Sequence, residues 1–391
     1  MSAGYDVIVV GLGAMGGATA DELARRGRRV LALDRFAPPH ARGSSHGESR
    51  IIREAYFEDP LYVPLVQRAW ERWEDLARWA GRELLRPTGG LLVGPPDGTL
   101  VTGALRSARA HGLACERLDA AAIRRRFPCF APDDAMVGIL EPRAGVLLPE
   151  ACIEAMHARA RAHGAVLVPD EPVHAWRADG AGVEVTTSRD RHRAGRLLIA
   201  AGAWTGTLLT DLALPLAVTR QTLFWFEPAA AEMFDPARCP VHIWEPEAGH
   251  YFYGFPALGG AVKVAPHGGG TPAAPDAPRR EVEAGEIEAM RVLLRRYLPR
   301  ADGPLRSSAT CLYTNTPDGH FLVDVHPHHP QVVIASVCSG HGFKFASAMG
   351  EVLADLLLEK QGRFDLGPFR LGRLLRPPAP GTGATRAPGR G

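Results

Sequence analysis

The chain has 391 residues, 46% hydrophobic and 23% charged, with a formal net charge of +2. Such a length suits two or three domains, or two interleaved ones, with the composition of an ordinary globular enzyme. A near-neutral balance without blocks of one sign argues against nucleic acid or an anionic membrane as the main partner.

The opening YDVIVVGLGAMGGATADELARRGRRVLALDR is the most informative stretch. DVIVV is a continuous apolar run, the pattern of a parallel strand buried on both faces. Gly11, Gly13 and Gly16 follow at G-x-G-x-x-G spacing, residues 14–26 have helical apolar spacing, and Gly27 ends that helix. RVLAL is a second buried strand, closed by Asp34. In this βαβ unit Gly11 serves the tight turn and Gly13 lets the backbone approach a pyrophosphate. Gly16 permits close helix–strand packing, and Asp34 can accept from a ribose. Nothing before it reads as a leader peptide. No apolar run nears the roughly 18–20 residues of a spanning helix.

A polar, Gly-rich loop (APPHARGSSHGESRIIREAY) comes next, then an amphipathic helix over 62–80 and the strand-like GGLLVG. IRRRF near 123–127 reads as a solvated helix face. A β-meander around 168–187 leads to the buried strand AGRLLIAAGAW. Residues 215–226 and 241–265 alternate as antiparallel strands, 268–278 is a loop, 281–298 a helix, and strands resume from 306 before a last helix at about 345–360. The final RPPAPGTGATRAPGRG lacks apolar content and reads as a disordered tail. Six scattered cysteines without a CxxC pair indicate reduced thiols, a cytoplasmic setting and no metal site.

The N-terminal unit lacks the further βαβ repeats of a full NAD domain, and sheet elements return at 165–203 and 306–345. That pattern fits FAD better than NAD. The expected fold is α/β (α+β overall): a discontinuous Rossmann-like FAD-binding domain over 1–85, 145–214 and 305–375, an antiparallel-sheet substrate domain over 86–144 and 215–304, and a tail over 376–391.

Four stretches carry candidate chemistry: SSHGESRIIREAY with His46, Arg50 and Arg53; YFYGFPALGGAVKVAPH with Tyr253, Lys263 and His267; TCLYTNTPDGHF with Cys311 and Tyr313; and SGHGFKF with Gly340, His341, Gly342 and Lys344. Arg50 and Arg53 would share a face on a helix and point opposite ways on a strand; their sequence is compatible with either. The three lysines, Lys263, Lys344 and Lys360, stand among 45 basic residues, so most positive charge here is arginine. Lys263 is either an exposed strand lysine or one buried for an anionic ligand. Cys311, by residue type, is a small buried side chain. Lys344 either reaches solvent from a helix start or faces a ligand that the adjacent glycines let the backbone approach.

Taken together and in this order, SHGESRIIR, CLYTNTPD and SGHGFKF resemble the monomeric sarcosine oxidase family, which includes N-methyltryptophan oxidases and the pipecolate/sarcosine oxidases. The resemblance runs from YDVIVVGLGAMG to FDLGPFRLGR. It implies one FAD, bonded covalently through Cys311. The cofactor set it implies takes Gly11, Gly13, Met15, Gly16, Asp34 and Arg35 from the first unit, and Ser44, His46, Ser49 and Arg50 from the loop. Val173, Gly202, Gly340, Gly342, Phe343 and Lys344 complete it. Arg53 and Lys344 are implied to hold the substrate carboxylate, Arg50 and Lys263 to lie across the flavin with Lys263 at the oxygen site, and Tyr253, His267 and Tyr313 to line the amino-acid pocket. The implied activity is oxidation of secondary amino acids by a monomer, with O2 reduced to H2O2. A flavin dehydrogenase or biosynthetic amine oxidase on the same fold, or a flavin-carrying subunit of a larger oxidoreductase, are the competing readings. Glu48 and Ser49 depart from the bacterial spelling, which bears on the substrate and leaves the flavin chemistry untouched.

Overall fold

The computed structural model describes residues 4–375; the tail expected at 376–391 lies outside them. The architecture is mixed α/β, as expected, and is organised by three sheets. The first has eight strands. Tyr5–Val10 lies at its centre, parallel to Val30–Leu33 on one side and Arg191–Ile199 on the other, and His329–Ser336 continues the parallel set. The all-buried VIVV and VLAL runs explain the placement: with helices on one side and a second apolar layer on the other, both faces must be apolar.

Helix Ala14–Arg25 follows the first strand with Gly13 as its N-cap and no capping side chain. Its neighbours in the main core are Val63–Ala80, Pro149–Ala162 and Ala346–Leu357. In Val63–Ala80 the buried Leu65, Val66, Ala69, Trp70, Trp73 and Leu76 recur at three- and four-residue intervals, and Gly81 ends the helix at φ 63°.

The second sheet has nine strands, among them Ala217–Phe226, Val241–Glu247, His250–Leu258 and Ala261–His267. Its core is rich in large aromatics, including Phe224, Phe226, Trp244, Phe252 and Tyr297. Leu305–Asn315 pairs along its length with Ala217–Phe226 in this sheet. The expected division placed that strand with the cofactor-binding segments; the chain pairs with the eight-stranded sheet again at Leu322–His326. The third sheet has three short strands, with Arg50–Arg53 and Leu85–Pro87 flanking Ala144–Leu147. Among the described residues no helix is long and apolar enough to cross a membrane.

Candidate active site

One long cavity runs between the sheets. Val10, Leu33, Ala200 and Ser336 line it, so the C-terminal ends of the parallel strands all open into it. That is where an open α/β sheet binds its ligand. Gly11 turns the chain there at φ 101°, and a Cβ on it would strike the Ala200 carbonyl. A Cβ on Gly16 would run into the Gly11 carbonyl, which explains why helix and strand can touch. A Cβ on Gly13 would meet only Ser45 Oγ, at 3.8 Å, and Gly13, Ala14 and Met15 line the cavity at a helix N-terminus that no side chain caps. Free first-turn N–H groups at such an end suit a pyrophosphate.

Asp34 receives the Leu12 N–H at 2.7 Å and the Phe36 N–H at 2.8 Å, and burial pushes its carboxyl up against the pull of those bonds. It lines the cavity with two oxygens able to accept more. Arg35, beside it, pairs with Asp276 at 2.8 Å and lies over Phe36 and Trp204. An uncapped helix end, a glycine cradle and a lining carboxylate fit the two phosphates and ribose of FAD. Ser44, Val173, Gly202, Gly340, Gly342 and Phe343 also line the cavity.

At its other end the cavity holds Arg50, Arg53, Tyr253, His267, Cys311, Tyr313 and Lys344. Arg50–Arg53 is a strand, which settles the open question of the two arginines: residues three apart on a strand face opposite sides. Arg50 donates to the Ser44 and Ser49 carbonyls, each at 2.7 Å. Arg53 turns the other way, over the Tyr56 ring at 4.2 Å, and both oxygens of Glu58 accept from its Nη2 at 2.8 and 2.6 Å. Burial works to raise the Glu58 carboxyl, but Arg53 above all, then His341 and Lys344, outweigh it and hold it at about 2.

Lys344 Nζ donates to the His341 carbonyl at 2.7 Å and to the Tyr56 hydroxyl at 3.3 Å. Burial first, then repulsion from Arg53, bring its ammonium down to about 7 against the pull of Glu58. His267 is pushed down to about 4 and Tyr253 up to about 12, in both cases chiefly by burial.

Four expected cofactor or catalytic residues do not reach the cavity wall. Gly16 sits behind it, in the helix–strand contact. His46 and Ser49 are buried; the imidazole is held at about 3 by burial and by Arg50, and its Nε2 finds no partner. Lys263, only 3% exposed, lies a layer behind Arg50, donating to Gly47 O at 2.5 Å and Ser49 O at 2.9 Å with its Nζ over Phe255 and Trp225. Burial, then Arg50, hold its ammonium well below the usual lysine value. Lys263 is thus a buried lysine, not an exposed strand residue. Cys311 is 2% exposed, with burial raising its thiol and the neighbouring Arg50 and Lys263 pulling it back.

The residues missed in the sequence are Tyr56, Glu58 and Glu141. Glu141 is buried 87 residues from Glu54, and its Oε2 accepts the N–H groups of Glu54 and Ala55 at 2.8 Å each, next to Arg53. Tyr56 and Glu58 had a signal in the acidic, aromatic EAYFED after Arg53; Glu141, inside an apolar strand, had only its oddity as a buried acid.

Residues 6–356 match the family described as FAD dependent oxidoreductase, DAO. The chain is 44% identical to the monomeric sarcosine oxidase of Streptomyces avermitilis, over 97% of this chain and 100% of that protein. It is 36% identical to the N-methyl-L-tryptophan oxidase of Salmonella arizonae, over 94% of this chain and 99% of that protein. Among solved structures, NikD, described as an unusual amino acid oxidase essential for nikkomycin biosynthesis, is 28% identical with a TM-score of 0.83, covering 94% of this chain and 98% of its own. With a cavity whose residues suit that cofactor and a match over nearly its whole length, the chain belongs to the DAO family of FAD-dependent oxidoreductases.

Proposed function

We propose that this chain is an oxidase of secondary amino acids, N-methyl or cyclic, acting as a monomer with FAD and O2. The observation that carries the reading is the convergence of two buried cations, Arg53 and Lys344, with Tyr253, His267 and Tyr313 at the end of the cavity away from Asp34. Two cations so placed are a receptor for a carboxylate, and fixing that carboxylate orients the carbon next to nitrogen, a gain worth several kcal/mol of barrier. FAD, which Gly11, Gly13 and Asp34 would hold, would supply the acceptor for the hydride of that carbon and the route of its electrons to O2.

The chain's own residues do the rest. Arg53 and Lys344 hold the carboxylate, which shares Arg53 with Glu58 or displaces it. Tyr253, His267 and Tyr313 enclose the amine, and the two neutral-side-chain classes among them leave no cation to repel it: His267, held at about 4, is uncharged at neutral pH. Water hydrolyses the released imine to a carbonyl compound and an amine, and O2 takes up the two electrons and two protons as H2O2. Arg50 and Lys263 lie on the other side of the strand from Arg53 and supply positive charge in a dry site, where it counts for more than in water. Lys263, held behind the cavity wall by the Gly47 and Ser49 carbonyls, acts on an oxygen species in this reading through the field of its charge and not by contact. Cys311 bonds the flavin covalently in this reading; its place on the cavity wall supports it.

The test is peroxide release in air from the purified chain offered sarcosine, N-methyltryptophan, L-pipecolate and L-proline in parallel. Turnover on any of them supports the reading, and their ranking reports the pocket's size. Silence on all four with flavin bound refutes it in favour of a bulkier amine or another electron acceptor. Yellow colour that stays with acid-precipitated wild type and leaves Cys311→Ser supports the bond; loss from both refutes it.

A further inference from the structure

Lys344 and Arg53 come from distant parts of the chain, yet one side chain touches both. The Tyr56 ring lies 4.2 Å beneath the Arg53 guanidinium carbon, and its hydroxyl is 3.3 Å from Lys344 Nζ. Tyr56 is fully buried and is itself held by His341, whose Nδ1 is 2.6 Å from the phenol oxygen. The other ring nitrogen, Nε2, is 3.1 Å from the Gly319 carbonyl. A carbonyl only accepts, so Nε2 carries the proton and Nδ1 is bare. The Tyr56 O–H therefore points at Nδ1, and its lone pair is left to accept from Lys344. The direction of the chain is fixed: Lys344 donates to Tyr56, Tyr56 to His341, His341 to the backbone.

Two N–H groups of the Lys344 ammonium are spent inside the protein, on Tyr56 and on the His341 carbonyl. The third is left for the cavity that Lys344 lines. The imidazole is in turn wedged between aromatic rings, Phe321 at 4.7 Å and Tyr62 at 5.3 Å between centroids, so it cannot swing away without breaking that packing.

We propose that Tyr56 and His341 are positioning residues that fix the spacing and direction of the Arg53 and Lys344 cations, and so make this end of the cavity select a carboxylate. The proposal rests on the reading that these two cations receive the substrate's carboxylate. Tyr56 does not line the cavity; His341 does, but both of its ring nitrogens are spent inside the protein, on Tyr56 and on the Gly319 carbonyl. Each acts through Lys344, so their loss weakens carboxylate capture and leaves the reacting carbon's surroundings intact.

Acetate is the probe, with its dissociation constant read from the flavin absorbance of each holoenzyme and with KM and kcat measured on whichever amine turns over. Tyr56→Phe keeps the ring and removes one hydrogen bond to Lys344, so acetate weakens about five- to tenfold. KM rises by a similar factor while kcat changes less than twofold. His341→Leu gives the same loss, and Tyr56→Phe/His341→Leu is no weaker than either alone, since both break one chain. His341→Asn, whose amide oxygen stands in for Nδ1, restores acetate binding to within about twofold of wild type. A structural role alone would not produce that rescue. Lys344→Met is the reference. If it loses acetate affinity while Tyr56→Phe binds as wild type, the positioning role is overturned and the carboxylate site stands. If Lys344→Met also binds as wild type, the carboxylate site falls and the proposal with it. Should His341→Leu fail to fold, Tyr56→Phe and His341→Asn still decide.

Discussion

Carboxylate binding at this site must be coupled to a proton. Burial first, then Arg53, bring Lys344 down from the usual 10.5 to about 7. That lowering corresponds to about 5 kcal/mol spent keeping the ammonium charged when buried and beside another cation. Below about 7 the site already carries the charge and acetate simply binds. Above it the empty site holds a neutral amine, and each acetate must bring a proton with it. The inhibition constant of acetate is therefore flat below about pH 7 and rises above it, toward tenfold per pH unit, until the contribution of Arg53 alone sets a limit. Acetate itself stays ionised throughout. The other groups facing the site titrate far away, His341 at about 3, His267 at about 4, Glu58 at about 2 and Tyr253 at about 12. Glu141, at about 7, is the exception. The assay is a pH series of competitive inhibition on wild type, Lys344→Met and Glu141→Gln. Wild type and Glu141→Gln keep the rise, and Lys344→Met flattens it. A flat wild-type profile refutes the reasoning, and a rise that survives in Lys344→Met assigns it to another group.

Glu141→Gln changes stability with the opposite sign of pH from most carboxylates. Burial raises Glu141 from the usual 4.5 to about 7, so the folded chain binds the extra proton between those values and wild-type stability falls as pH rises through them, by about 3 kcal/mol. Urea midpoints at about pH 5 and about pH 8 should show that fall in wild type and a smaller one in the variant; equal falls would refute it. Lys263→Met should leave anaerobic reduction by the amine nearly unchanged and slow reoxidation by O2 roughly a hundredfold, about 2.7 kcal/mol of barrier. Stopped-flow traces with wild-type reoxidation would dismiss that role. Gly16→Ala places a Cβ against the Gly11 carbonyl and should yield protein that no longer retains flavin, checked by the ratio of visible to ultraviolet absorbance after purification.

What the sequence reveals here divides by distance along the chain. The dinucleotide turn is legible because every part of it falls within about thirty residues: the apolar run, three glycines and Asp34 each state a local constraint that holds whatever else the chain does. The helix at 63–80 is legible for the same reason. Leu305–Asn315 is not. Its alternation says strand, but only pairing with Ala217–Phe226 says which sheet, and either sheet would have accepted its apolar residues. The candidate site follows the same rule. Lys344, Arg53 and Cys311 stand in recognisable stretches, but what holds them does not. Glu58 reaches Arg53 through a turn whose shape depends on Glu141, 87 residues from Glu54. Tyr56 meets His341 across 285 residues. A motif names the groups that touch a ligand, since chemistry restricts their type. The partners that orient them need only offer a donor or an acceptor at one point in space, and many residue types at many positions can do that. Lys263 carries both halves of the argument: its rarity among arginines makes it conspicuous, yet that it sits behind Arg50, held by the Gly47 and Ser49 carbonyls, follows only once the 46–50 loop is folded over it.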